Sequence, residues 1–140
     1  MPGKLKSAIK LNGKTYFASK LTDLDIQELD IFVRQSFMES VYSTLPKNLP
    51  SEDRDQAIAI AQVTCARMTF MSGEGSRIMG TIPGMTRLTW QMLHHNHPDL
   101  TVEEVHSMLT NPLNIDEANK TFREVHGVTK GKKQKTRKRR

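Results

Sequence analysis

This chain predicts a mainly α fold, in which an N-terminal β-hairpin packs on four or five helices and a disordered basic C-terminal tail follows. Three observations carry that expectation. Apolar residues recur at three- and four-residue spacing through most of the chain, as they do in helices with one buried face. Near the start, Asn12-Gly13 lies between two short alternating segments, a strong hairpin signal because both central residues of a type I′ turn take positive φ. From Lys130 to Arg140 there are eight basic residues, no acid and no apolar side chain, so this block has nothing to place in a core.

The elements follow in order. Leu5–Leu11 and Lys14–Ala18 are the expected strands, with Ile9, Leu11, Tyr16 and Ala18 on the inner face. A lone hairpin is marginally stable and must lean on the helices. Thr22 is placed to cap the first helix, with Asp23 and Asp25 in its first turn, where carboxylates meet the positive end of the helix dipole. Ile26, Leu29, Phe32 or Val33, Phe37 and Val41 then carry the helix to about Tyr42. Pro46 and Pro50 bracket a loop, and Ser51 is expected to cap a second helix with Glu52 and Asp53 behind it.

That second helix, with Ala57, Ile58, Ala61, Val63, Cys65, Met68 and Met71, is apolar round more than half its circumference and is expected to be central. Gly73-Glu74-Gly75-Ser76 is expected to end it, and Arg77–Gly84 shows no period that assigns it. Leu88 to His95 carry a mixed apolar face, and Pro98 pushes His97 out of the α region and stops that helix. Thr101-Val102-Glu103-Glu104 is a capping box, in which the hydroxyl and the carboxylate each take a free backbone donor. Val105, Met108 and Leu109 form its helix's buried stripe, up to Asn111-Pro112. The last helix is expected from near Asn114, burying Ile115, Ala118, Phe122 and Val125 and stopping at Gly127.

A chain of 140 residues is one domain by length, read as residues 1–128 with a tail at 129–140. The net charge of +6 is unevenly spread: eight of the 21 basic residues lie in the tail, leaving thirteen against fifteen acids and about −2 on the body. A single cysteine, Cys65, forms no internal disulfide and fits a reducing compartment. No apolar run approaches the ~18 residues of a membrane span, and the N-terminus lacks a signal-peptide apolar region. A soluble intracellular protein is expected, with no membrane partner and an idle sequon at Asn119-Lys120-Thr121.

Several motifs suggest chemistry and are outweighed. Ala8–Thr15, AIKLNGKT, resembles a loosened phosphate loop, but that chemistry needs a helix after Lys-Thr, and here a second strand begins. Gly73-Glu74-Gly75 has Ile78 where a dinucleotide fingerprint needs its third glycine. Histidines 94, 95, 97, 106 and 126 invite a metal, yet a zinc site needs three or four converging ligands, and HHNHP lacks the glutamate of the HExxH arrangement. A polar helix end accounts for them better. Met68, Met71, Met79, Met85, Met92 and Met108 read first as core filling, and also suit a surface that adapts to several apolar segments. Trp90 is expected in the core, and the acids of the first helix on a solvated face. No catalytic residue, cofactor or metal ligand is expected.

The helix running into HHNHPDLTVEEVHSMLTNP, after a glycine-punctuated linker, resembles the C-terminal half of the tail assembly chaperones of long-tailed bacteriophages. The front end, IKLNGKTYFASKLTDLDIQELDIFVRQ, is similar to the short strand pair and acidic helix with which many of them begin. The likeness covers roughly residues 8–126 as a pattern of elements, with the HPDLT turn into a capped helix as its most specific piece. It implies a non-enzymatic protein in the host cytoplasm that binds the long helical tape-measure protein and keeps it soluble during tail assembly. The alternative is a structural virion or nucleic-acid-associated protein acting through the tail. There Lys130, Lys132, Lys133, Lys135, Arg137, Lys138, Arg139 and Arg140 are the candidate polyanion-binding residues. With no aromatic residue among them to stack on a base, binding of nucleic acid would be weak and nonspecific. The sequence leaves the oligomeric state open.

Overall fold

The computed structural model describes residues 6–127. The expected tail at 129–140, including every candidate polyanion-binding residue, lies outside them. Among the described residues the architecture is mainly helical with an N-terminal antiparallel hairpin, as the sequence predicts, but with six helices where four or five were expected. In chain order these are β1 (Lys6–Leu11), β2 (Lys14–Ser19), α1 (Asp23–Thr44), α2 (Ser51–Ala66), α3 (Gly73–Met79), α4 (Ile82–Leu93), α5 (Val102–Met108) and α6 (Pro112–His126). The chain forms two compact units, one of residues 1–21 with 85–140 and one of residues 22–84.

In the first unit, β1 and β2 pair in the register Leu11↔Lys14, Ile9↔Tyr16 and Ser7↔Ala18. Asn12 and Gly13 take φ of 54° and 80°, the left-handed pair that a two-residue hairpin turn requires. Alternation then divides the ribbon. Ser7, Ile9, Leu11, Tyr16 and Ala18 are buried, while Lys6, Ala8, Lys10, Thr15 and Phe17 are exposed. The inner face rests on α6, which buries Asn114, Ala118, Thr121 and Val125. Asn114, Ala118, Thr121 and Val125 recur every three or four residues, so they share one side of the helix. Full burial of side chains such as Ile9 and Leu11 contributes on the order of 1.5–3 kcal/mol each, which is how a hairpin too short to stand alone is held.

Capping was legible. Thr101 Oγ1 accepts from the Glu104 N–H at 3.1 Å and Glu104 Oε1 accepts from the Thr101 N–H at 2.9 Å. Thr22 and Asp25 form a second such box on α1, at 3.1 and 2.9 Å. Thr101→Ala is expected to cost about 1 kcal/mol, read as a lower denaturant midpoint at unchanged slope. A silent change would mean that α5 does not rely on this cap.

Several boundaries moved. α4 spans Ile82–Leu93 instead of reaching His97. The chain unwinds through turn bonds such as Asn96 N–H to the Leu93 carbonyl at 3.1 Å, and the side chains of Asn96 and His97 are thereby free to serve the hairpin. α2 begins after Pro50 with no side-chain cap, so Ser51 is its first residue and not its cap. Asn111-Pro112, read as a terminator, instead starts α6: Asn111 Oδ1 accepts from the Leu113 N–H at 3.0 Å, and Pro112 fills the first position, where no N–H is needed. Gly73–Ser76 opens α3 rather than ending α2.

The second unit packs α2 and α3 on α1. Arg34 Nε donates to the Met68 carbonyl at 2.9 Å, and Asp30 Oδ1 accepts from the Phe70 N–H at 2.9 Å. These bonds hold the segment after α2 against α1. The expectation of a central α2 is corrected. Only Ala61 is buried on it, and Met68 and Met71 lie beyond its end, the first buried and the second exposed.

Candidate functional site

Two surface features stand out, one in each unit. In the first unit the free edge of β2 is plugged by side chains from the turn after α4. Phe17 donates its N–H to His97 Nε2 at 2.9 Å, and Asn96 Nδ2 donates to the Phe17 carbonyl at 2.9 Å. Asn96 also reaches Ser19 Oγ at 2.7 Å. Thus two side chains do for Phe17 what a third strand would do, satisfying both of its outward backbone groups.

A few residues on, His126 Nε2 accepts from the Leu21 N–H at 3.2 Å while Nδ1 faces the Phe122 carbonyl at 3.0 Å. With a carbonyl at one nitrogen and an N–H at the other, the ring is held neutral with its proton on Nδ1. Burial lowers its pKa below 6.5; the Phe122 carbonyl opposes this and Lys20 adds to it. The folded ring therefore binds its proton less readily than the unfolded one, so stability should fall as pH drops below ~6.5 and level off beneath the folded value. Urea melts at pH 7.5 and 5.5 should show a larger loss for the native chain than for His126→Gln, which cannot titrate. An equal loss in both would detach His126 from the acid sensitivity.

The histidines make the following contacts. His97 and His126 serve hairpin backbone, and His94 stacks on Trp90 with ring centroids 4.4 Å apart. His95 lies against His94 at 4.0 Å, and His106 is exposed on α5. Trp90 is only half-buried and donates Nε1–H to the Leu100 carbonyl at 2.9 Å, so it pins the HPDL turn as well as packing. Lys14, from the phosphate-loop-like stretch, stands on a strand with Nζ 5.3 Å from the Tyr16 ring centroid. No helix follows it there, so its amides make no phosphate cradle.

In the second unit the feature is exposed apolar surface. Leu24, Ile31, Tyr42, Ile60, Val63 and Met71 are each at least half exposed. On α1, Leu24, Ile31 and Tyr42 are spaced by seven and eleven residues, which at about 100° per residue puts them within roughly 20° of one line. The stripe runs about 27 Å at 1.5 Å per residue. Leu29 and Val33 are buried on the opposite side. α2 repeats the arrangement, with Ala61 buried and Ile60 and Val63 exposed. Each helix therefore has two apolar faces, of which intramolecular packing uses one. Sequence reasoning placed Val63 and Met71 on the apolar face of a central helix and passed over Leu24, Ile31 and Ile60.

Among the described residues no helix is long and apolar enough to cross a membrane. Comparison with family models, characterised proteins and solved structures finds no match for this chain.

Proposed function

We propose that this chain is a non-enzymatic binding protein, a tail assembly chaperone of a long-tailed bacteriophage. In this reading it acts in the host cytoplasm, covering apolar stripes of the tape-measure protein until tail-tube subunits enclose it. The observation that supports the reading best is the second apolar face of α1 and α2. Leu24, Ile31 and Tyr42 on one helix and Ile60 and Val63 on the other are at least half exposed to water, and each would gain roughly 1 kcal/mol or somewhat more from completing its burial in an apolar contact. A helical client with a matching stripe supplies such a contact along several turns, in the helix-on-groove manner.

Co-expression should raise the soluble fraction of a tape-measure fragment. Leu24→Glu combined with Ile31→Glu should remove that gain while leaving helical circular dichroism unchanged, since neither residue is buried. No solubilisation of any segment of the tape-measure protein would sink the reading. The alternative, a nucleic-acid-associated or structural virion protein, is supported by the eight cations between Lys130 and Arg140. Eight phosphate contacts give a log–log salt slope no steeper than about −7. Duplex binding that fades near physiological salt leaves the chaperone reading in place, and tight binding that survives such salt replaces it.

A further inference from the structure

We propose that the outer edge of β1 docks an extended segment of a partner protein in which acidic and apolar residues alternate, and that this segment joins the hairpin as a third strand. This edge lies wholly within the first unit, and its binding is independent of the chaperone reading. In an antiparallel pair, residues whose backbone groups face the partner alternate with residues whose groups face away. Phe17 makes both of its backbone bonds outward, to His97 and Asn96, which fixes the phase. Its ladder partner is Ala8, with Lys10↔Thr15 and Lys6↔Ser19 on either side in the same phase. Lys6, Ala8 and Lys10 therefore point their N–H and C=O groups away from β2, and all three are exposed. Among the described residues the sheet has two strands and nothing pairs with this edge. One edge of the hairpin is plugged and the other is open.

Charge selects what fits. Lys6 and Lys10 stand on the exposed face either side of Ala8, and neither has an ion-pair partner among the described residues. A second copy pairing antiparallel about Ala8 would set these lysines against the same lysines about 5 Å away, so the edge rejects its own kind. A strand with acids at two positions four residues apart meets both. Its side chains one residue either side of each acid point the other way, toward a groove of about 510 Å³ lined by Lys10, Asn12, Leu113, Asp116 and Glu117 among others. Leu113 is 71% exposed there. The two carboxylates repel acid on that face, and Leu113 offers contact to an apolar side chain. Hence the alternation.

The probe is a capped eight-residue peptide alternating glutamate and valine, titrated into the ¹⁵N-labelled full chain, with the lysine–valine version as control. The amides of Lys6, Ala8, Lys10 and Leu113 should shift with the glutamate peptide, and those of Thr15 and Phe17 should not. Ala8→Pro removes an outward N–H without touching a ladder bond and should weaken binding at least tenfold. Lys6→Glu combined with Lys10→Glu should transfer the preference to the lysine peptide, which keeps the test independent of any effect of proline on the hairpin. Absence of binding by the glutamate peptide, shifts centred elsewhere, indifference to both variants, or self-association of the native chain through β1 would each overturn the proposal.

Discussion

Gly75→Ala is expected to unfold the 22–84 unit or leave it barely stable, while Gly80→Ala is close to neutral. A β-carbon on Gly75 would overlap the Thr69 carbonyl oxygen and come within 3.2 Å of Met68 Cγ. The obstacle is main chain, in a segment held to α1 by the Met68 carbonyl bond to Arg34 and the Phe70 N–H bond to Asp30. It cannot step aside as a flexible side chain would. Overpacking typically costs 1–3 kcal/mol, and a backbone collision belongs at or above the top of that range, about 3 kcal/mol. At Gly80 the corresponding atom meets the Arg77 carbonyl oxygen at 3.4 Å, an ordinary contact, at a φ of −82° open to any residue. Denaturant melts of the two variants make the comparison. Equal midpoints would show that α3 does not press on the chain after α2.

The second large effect is expected at Asn114, the third residue of α6. Its Nδ2 donates to Asn12 Oδ1 at 2.7 Å and to the Met108 carbonyl at 2.8 Å, and its Oδ1 accepts from the Asn12 N–H at 3.3 Å. One side chain, 4% exposed, therefore joins the hairpin turn, the end of α5 and the start of α6. Asn114→Ala leaves the Met108 carbonyl without that donor inside the fold. That carbonyl keeps the Asn111 N–H at 3.2 Å, so the cost is the loss of the three Asn114 side-chain bonds, at about 0.5–1.5 kcal/mol each roughly 3 kcal/mol. Asn114→Asp should be no milder at neutral pH, because a carboxylate would face the Met108 carbonyl and Asn12 Oδ1 with no proton to offer. Asn12→Gly is the milder comparison, since glycine tolerates the turn and only the 2.7 Å bond from Asn114 Nδ2 is lost, while Asn114 keeps the Met108 carbonyl and the backbone N–H of residue 12. Thermal midpoints and the hydrogen exchange of the Asn12 amide report the result. A mild Asn114→Ala would mean that water replaces the side chain and that the hairpin is held by its apolar face alone.

Much of the fold was legible because its signals are local. The Asn12-Gly13 turn, the cap at Thr22, the box at Thr101 and the stop at Gly127 are set by backbone needs within four residues, and each appears in the structure where the sequence put it. Misreadings came where one local signal has two outcomes. Asn111-Pro112 ends one helix as readily as it starts the next, and Gly73-Glu74-Gly75 looks like a break until Thr69 is seen against Gly75. The apolar second helix misled for a different reason. Periodicity shows that a face is apolar and not whether anything covers it, so Val63 and Met71 counted as part of a central helix although they are exposed.

The sequence by itself determined the helical class, the hairpin, the concentration of basic residues after Lys130 against a mildly acidic remainder, and the capped starts at Thr22 and Thr101, because periodicity, turn chemistry and charge act between near neighbours. Only the tertiary structure decided what the polar side chains are for. Asn96, His97, Asn114 and His126 meet their backbone partners across 79 to 105 residues of chain, and no local rule distinguishes them from surface polar residues. It likewise decided that the edge of β2 is plugged while, among the described residues, nothing pairs with that of β1, and that α1 and α2 each leave an apolar face in water. Whether a face is buried depends on what the rest of the chain brings to it, and spacing along one helix or strand carries no record of that.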